Sequence, residues 1–173
     1  MRPAGKYSEK LFRQYADKIG AEYRLDINPN IASQHVSGDD SKYFEWLNPI
    51  VDDSFLEYDN VCVLDLDIFP VHNLKENIFE ETIKNFGICT EPFQGKYRQS
   101  TRIRGGISKL SDERWASEVK KRYGSVMPRD SDGHLKVYNA GMVVFTKEGM
   151  KLAREKFIPY QKYIQCRLMK NFH

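Results

Sequence analysis

The sequence predicts an α/β fold, a mixed, mostly parallel sheet flanked by helices, with elements missing at its ends. Apolar, β-prone runs alternate along the chain with stretches of helical periodicity, the pattern of strands joined by crossover helices. The strongest run, Val61-Cys62-Val63-Leu64, is short, apolar and bounded by turn residues, as expected of an interior strand. It delivers two carboxylates, Asp65 and Asp67, to the carboxyl end of a strand, where open α/β sheets bind their ligands.

The elements follow in order. Leu11, Phe12, Tyr15, Ala16 and Ile19 form a helical stripe, with Ser8 placed to cap its start and Gly20 to stop it. Tyr23, Leu25 and Ile27 alternate with Arg24 and Asp26, predicting a half-exposed strand that Asn28-Pro29-Asn30 breaks. After a loop to about Asp40, a second helix carries Tyr43, Phe44, Leu47, Ile50 and Val51 and ends before Tyr58-Asp59-Asn60. The Asp65 strand comes next, then an amphipathic helix over Leu74 to Phe86 and a strand at Gly87-Ile88-Cys89-Thr90.

Lys96 to Lys109 is basic, aperiodic and contains Gly105-Gly106, which predicts a solvated surface loop. Ser111 is placed to cap a helix with Trp115, Val119 and Tyr123 on its inner face. Two strand pieces, Leu135 to Tyr138 and Met142 to Phe145, are separated by Asn139-Ala140-Gly141, and a last helix begins at Thr146 and bends or breaks near Pro159. Tyr7, Tyr15 and Tyr23 read as packing residues.

At 173 residues the chain is of single-domain size, and residues 1–173 read as one domain. A net charge of +3, with basic and acidic residues interspersed, does not suggest nucleic acid as a partner. No apolar run approaches a membrane span, and Met1-Arg2-Pro3-Ala4-Gly5 lacks the apolar core of a secretory signal, so the segment is expected to be soluble and cytoplasmic. Cys62, Cys89 and Cys166 have no metal-ligand spacing and read as reduced structural thiols. His35 and His72 carry no supporting spacing, and His134, just before the strand leading to Asn139, is placed either to face the pocket or, as a lone histidine more often does, to serve the structure.

The Asp65 pair is the chemistry-bearing feature. On an extended backbone residues i and i+2 point the same way, so Asp65 and Asp67 can converge on one hard cation, Mn²⁺ or Mg²⁺, that also engages a diphosphate. A second Asp-x-Asp, Asp130-Ser131-Asp132, follows no strand and reads as a solvated loop. Gly141 within a strand pattern signals either close backbone approach to a ligand or a simple bulge.

The order of elements, with Tyr58-Asp59-Asn60-Val61-Cys62-Val63-Leu64-Asp65-Leu66-Asp67-Ile68, resembles the GT-A (Rossmann-like) glycosyltransferases that use nucleotide sugars, in particular the "yD-x-V-x-x-L-D-x-D" signature of the glycogenin-like members. His72-Asn73-Leu74-Lys75-Glu76-Asn77-Ile78-Phe79 similarly resembles the "N-L-x-E-L-F" helix start that follows it, with Asn77 as one extra residue. The resemblance implies that Asp67 coordinates Mn²⁺ or Mg²⁺ and that Asp65 contacts the ribose, the metal or both, with Leu66 between them in the nucleotide-sugar site. It implies that Lys42 lies near the nucleotide sugar and that Asn139, Ala140 and Gly141 line the donor-sugar pocket as a strand break.

The implied partners are a nucleoside diphosphate sugar, a UDP-sugar favoured, and an acceptor glycan or protein. Glu91, after Thr90, and Asp132 are the candidates for a base at the acceptor hydroxyl. The family's usual first strand has no counterpart before Tyr7, and its third metal ligand, often a His, has none around His173, so the chain is expected to be part of a longer one. Two other classes fit the same residues. One is a non-catalytic nucleotide-sugar-binding domain. The other is a sugar-phosphate nucleotidyltransferase, which the absence of a Gly-rich phosphate loop disfavours.

Overall fold

The structure, a computed structural model, describes residues 3–26, 39–91, 109–157, 159 and 162. The chain divides into two compact units: residues 1–87 with 140–157, and residues 88–139 with 158–173.

Helix α1 (Pro3–Ile19) opens the first unit. Its inner face extends beyond the expected stripe to Gly5 and Ser8, both buried, while Leu11, Phe12, Tyr15 and Ile19 are half-buried and Ala16 buried. Ser8 therefore lies inside the helix and not at its cap. Gly20 does end it: at φ 70° it lets the Ala21 N–H reach back to the Ala16 carbonyl at 2.9 Å, closing the last turn. The strand expected at Tyr23 is absent among residues 21–26, which have no ladder partner among the described residues. Their side chains turn to other work. Arg24 lies over the Phe55 ring at 4.9 Å and bonds Asp26 at 2.7 Å, and the Tyr58 hydroxyl donates to Glu22 at 2.9 Å.

Two 3₁₀ helices, Asp39–Ile50 and Asp53–Glu57, occupy the place of the expected second α-helix. Pro49 inside the first removes a backbone donor, and Asp52 caps the second by accepting from Ser54 N at 2.9 Å. Strand β1 (Asn60–Leu64) follows, then a 3₁₀ turn at Ile78–Glu80 and strand β2 (Phe86–Thr90). Asn77, the residue extra to the resembled motif, caps the 3₁₀ turn by accepting from Phe79 N at 3.0 Å.

The α-helix expected over Leu74 to Phe86 does not form. The Leu74 and Glu76 carbonyls, which a helix would turn to its own N–H groups, accept instead from Lys18 and Tyr15 of α1, the latter at 2.8 Å. β-Branched Ile78, Thr82 and Ile83 add little helical preference.

Strand β3 (Tyr138–Thr146) is continuous, so Asn139-Ala140-Gly141 neither breaks nor bulges it, and only Leu135, bridged to Arg129, represents the strand piece expected before it. The strand order is β1-β3-β2. β1 runs antiparallel to β3, with Asn60 opposite Thr146 and Leu64 opposite Met142. β2 does too: Thr146 N–H donates to Asn85 O and Glu91 N–H to Val137 O, each at 2.9 Å, so ascending residues meet descending ones.

A mostly parallel, Rossmann-like sheet is therefore overturned. The central strand opposes both neighbours, and no helical crossover joins β1 to β2. β1, expected inside the sheet, is half-buried throughout and lies at an edge among the described residues, while the core role falls to β3, whose Val143, Val144 and Phe145 are buried.

Thr146 ends β3 and caps helix α3 (Lys147–Lys156) with no intervening loop, its hydroxyl oxygen accepting from Gly149 N at 2.9 Å. Met150 of α3 is fully buried, Leu47 and Phe55 are buried, and Trp46 stacks on Phe145 at 6.4 Å between centroids. Arg154 fastens α3 to the 3₁₀ pair, donating to Pro49 O at 3.2 Å, Asp52 O at 2.7 Å and the Asp53 carboxylate. Helix α3 thus ends at Lys156, before Pro159.

The second unit contains α2 (Lys109–Tyr123), which begins before Ser111, and a tight turn at 129–135. A bidentate pair holds the turn to the helix: Arg129 donates to both oxygens of Glu113 at 2.8 and 2.7 Å, and also to Gly133 O at 2.8 Å. Among the described residues no helix is long and apolar enough to cross a membrane.

Candidate functional site

The carboxylate pair is built by a strand end and a turn. The Asp65 N–H donates to Gly141 O at 2.8 Å, extending the β1–β3 ladder one residue past Leu64. The backbone then folds, Ile68 N–H donating to Asp65 O at 3.3 Å across Leu66 and Asp67. Asp67 is thus in a turn and not on an extended strand, so the alternation argument does not apply to it. All three residues from Asp65 to Asp67 are exposed.

The carboxylates sense one another. The Asp65 carboxyl is held above its ordinary value, first by its partial burial at the strand end and then by the negative charge of Asp67. Two hard oxygen donors whose charges repel one another, in a place open to solvent, fit a hard divalent cation. Among the described residues no group of three or more His, Cys, Asp or Glu side chains assembles around one point, so the described donors here are these two.

The turn is fastened to α1. Ser8 Oγ donates to Ile68 O at 2.6 Å, and the exposed rings of Tyr7 and Phe69 meet at 5.9 Å. Tyr15 accepts from Ile78 N at 3.1 Å while donating to Glu76, so it is a strap as well as a packing residue. Nothing local announces these ties in the sequence, since each joins residues about sixty positions apart.

Of the other expected site residues, Gly141 is buried and Ala140 half-buried in β3 of the first unit. Lys42 belongs to the backbone of the Asp39–Ile50 helix, and its side chain lies outside the described residues. In the second unit Asn139 Nδ2 donates to Glu91 Oε1 at 2.5 Å, tying the residue after β2 to the start of β3. Asp132 is exposed, and its N–H, like that of His134, donates to Asp130 Oδ1 at 3.0 Å, an Asx-type turn that accounts for the second Asp-x-Asp structurally. Cys62 is half-buried in β1, whereas Cys89 is exposed on β2, contrary to the buried role expected of it. The basic loop from Lys96, with Arg98, Arg102 and Arg104, lies outside the described residues, as do His35, Cys166 and His173.

No protein-family model, no curated protein and no solved structure matches the chain.

Proposed function

We propose that the chain is a metal-dependent glycosyltransferase domain that moves a sugar from a nucleoside diphosphate sugar, a UDP-sugar by preference, to the hydroxyl of an acceptor glycan or protein in the cytoplasm. The single observation that carries this reading is the Asp65–Asp67 turn: two exposed, mutually repelling carboxylates at the end of β1, bonded through the Asp65 backbone to Gly141.

Asp65 and Asp67 would hold Mn²⁺ or Mg²⁺, which when bound supplies positive charge to the oxygens of a departing diphosphate. The chain's own part is orientation. The β1–β3 ladder and the Ile68 turn hold the two carboxylates in place.

The test is calorimetric titration of the full chain with UDP and UDP-glucose, with Mn²⁺ and then with EDTA. Saturable binding that needs the metal and disappears in Asp67→Ala is the expected result. Binding that survives EDTA, or none to UDP or GDP sugars, refutes the reading. Metal-dependent binding without transfer or hydrolysis identifies a non-catalytic nucleotide-sugar-binding domain.

A further inference from the structure

We infer that Ser8 is a positioning residue for the carboxylate turn, holding Asp67 in place from sixty residues away, an inference that rests on reading Asp65 and Asp67 as the cation site. A serine within a helix ordinarily turns its hydroxyl to solvent or to a carbonyl one turn back. Ser8 is fully buried and donates out of α1 to the Ile68 carbonyl at 2.6 Å.

The geometry explains why this bond bears on the site. Ile68 is the residue after Asp67, and its N–H closes the turn on the Asp65 carbonyl at 3.3 Å. Residue 68 is therefore held at both ends, its N–H by Asp65 and its carbonyl by Ser8. The N–H bond is long at 3.3 Å, whereas the Ser8 bond on the far side is short at 2.6 Å. Gly5, one turn earlier and also buried, keeps this face of α1 small. Tyr7 of α1 meets the Phe69 ring beside the turn, while Tyr15 and Lys18 grip the Glu76 and Leu74 carbonyls farther along the chain.

The consequence concerns a ligand that Ser8 never touches. A divalent cation shared by two carboxylates and a diphosphate requires both carboxylates in one arrangement, and groups that orient ligands contribute roughly 10- to 100-fold to metal affinity. Ser8→Ala removes the hydroxyl with little change in size and leaves both carboxylates intact.

The experiment titrates Mn²⁺ into the full chain in the presence of UDP and compares wild type, Ser8→Ala and Tyr15→Phe, with thermal midpoints recorded in parallel. Ser8→Ala is expected to weaken Mn²⁺ binding about tenfold, the low end of that range. Tyr15→Phe, which loses two bonds between α1 and the 76–78 segment, is expected to lower the midpoint and leave Mn²⁺ affinity unchanged. Should Ser8→Ala not fold, Ser8→Cys, a weaker donor of similar size, takes its place: weakened Mn²⁺ binding supports the role and wild-type affinity overturns it. The role is equally overturned if Ser8→Ala binds as wild type does, or if Tyr15→Phe loses as much affinity as Ser8→Ala. Absence of Mn²⁺ binding by wild type overturns the cation site and this inference with it.

Discussion

Gly149→Ala sets two opposite effects against each other at one atom. In an exposed helix the change stabilises by about 1 kcal/mol, because alanine is the better helix former. Here the added Cβ would lie 1.8 Å from the Asn85 carbonyl oxygen and 2.5 Å from its carbon, where even close C–H···O contacts keep about 3.3 Å. The obstacle is backbone, so it cannot rotate away. Moving it disturbs what it holds: Asn85 O accepts from Thr146 N at 2.9 Å and Thr146 Oγ1 at 3.0 Å, and that hydroxyl oxygen caps α3.

Two hydrogen bonds at about 1 kcal/mol each and an overpacking cost of about 2 kcal/mol outweigh the helical gain. The net destabilisation is therefore about 3 kcal/mol. With a urea slope of about 2 kcal/mol/M for a chain of this size, the unfolding midpoint should fall by roughly 1.5 M with the slope unchanged. Far-UV circular dichroism in urea measures it, with exposed Lys151→Ala as the control expected to stay near wild type. A Gly149→Ala midpoint at or above that of wild type would refute the close approach of α3 to Asn85.

Asp65 supplies a pH prediction. Its raised native value means that the folded state binds more protons than the unfolded chain between the ordinary aspartate range and that value, so its contribution favours folding at low pH and is lost as pH rises through the window. Asp65→Asn should then gain more in melting temperature relative to wild type at pH 7 than at pH 3.5; an equal difference at both would show that neither burial nor the charge of Asp67 raises the Asp65 carboxyl in the folded state. Arg154→Lys should destabilise by about 2 kcal/mol, since a single ammonium cannot reach the Pro49 and Asp52 carbonyls and the Asp53 carboxylate together. Denaturant unfolding checks it, and a midpoint equal to wild type would show that the three acceptors are satisfied without the guanidinium.

What the sequence made legible is local. The α1 stripe with its Gly20 stop, the apolar runs of β1 and β2, and Thr146 at the head of α3 all rest on neighbours within a turn or two, and all appear. Asp65 at the strand end was legible for the same reason. Strand direction was not, because parallel pairing was inferred from a crossover helix over Leu74 to Phe86 whose carbonyls in fact serve Tyr15 and Lys18. Nor could periodicity show that Tyr138 to Thr146 forms one central strand or that Val61 to Leu64 lies at an edge, since burial on a sheet depends on partners remote in sequence. Ser8 offered a plausible cap and proved to be an interior donor, a role that only its partner sixty residues away discloses.

The pairing of β1 with β3 also has a consequence for biosynthesis. Val61-Cys62-Val63-Leu64 leaves the ribosome long before Val143-Val144-Phe145, the segment that completes its ladder, is synthesised. At about 5–20 residues per second the nascent chain carries an unpaired apolar strand for several seconds, a hazard for intermolecular pairing. Closing so long a loop before the ladder repays it places folding among the slower topologies. The carboxylate turn, bonded through Asp65 to Gly141, is therefore among the last features to form, and a truncated chain ending before β3 would contain both aspartates without the strand that frames them.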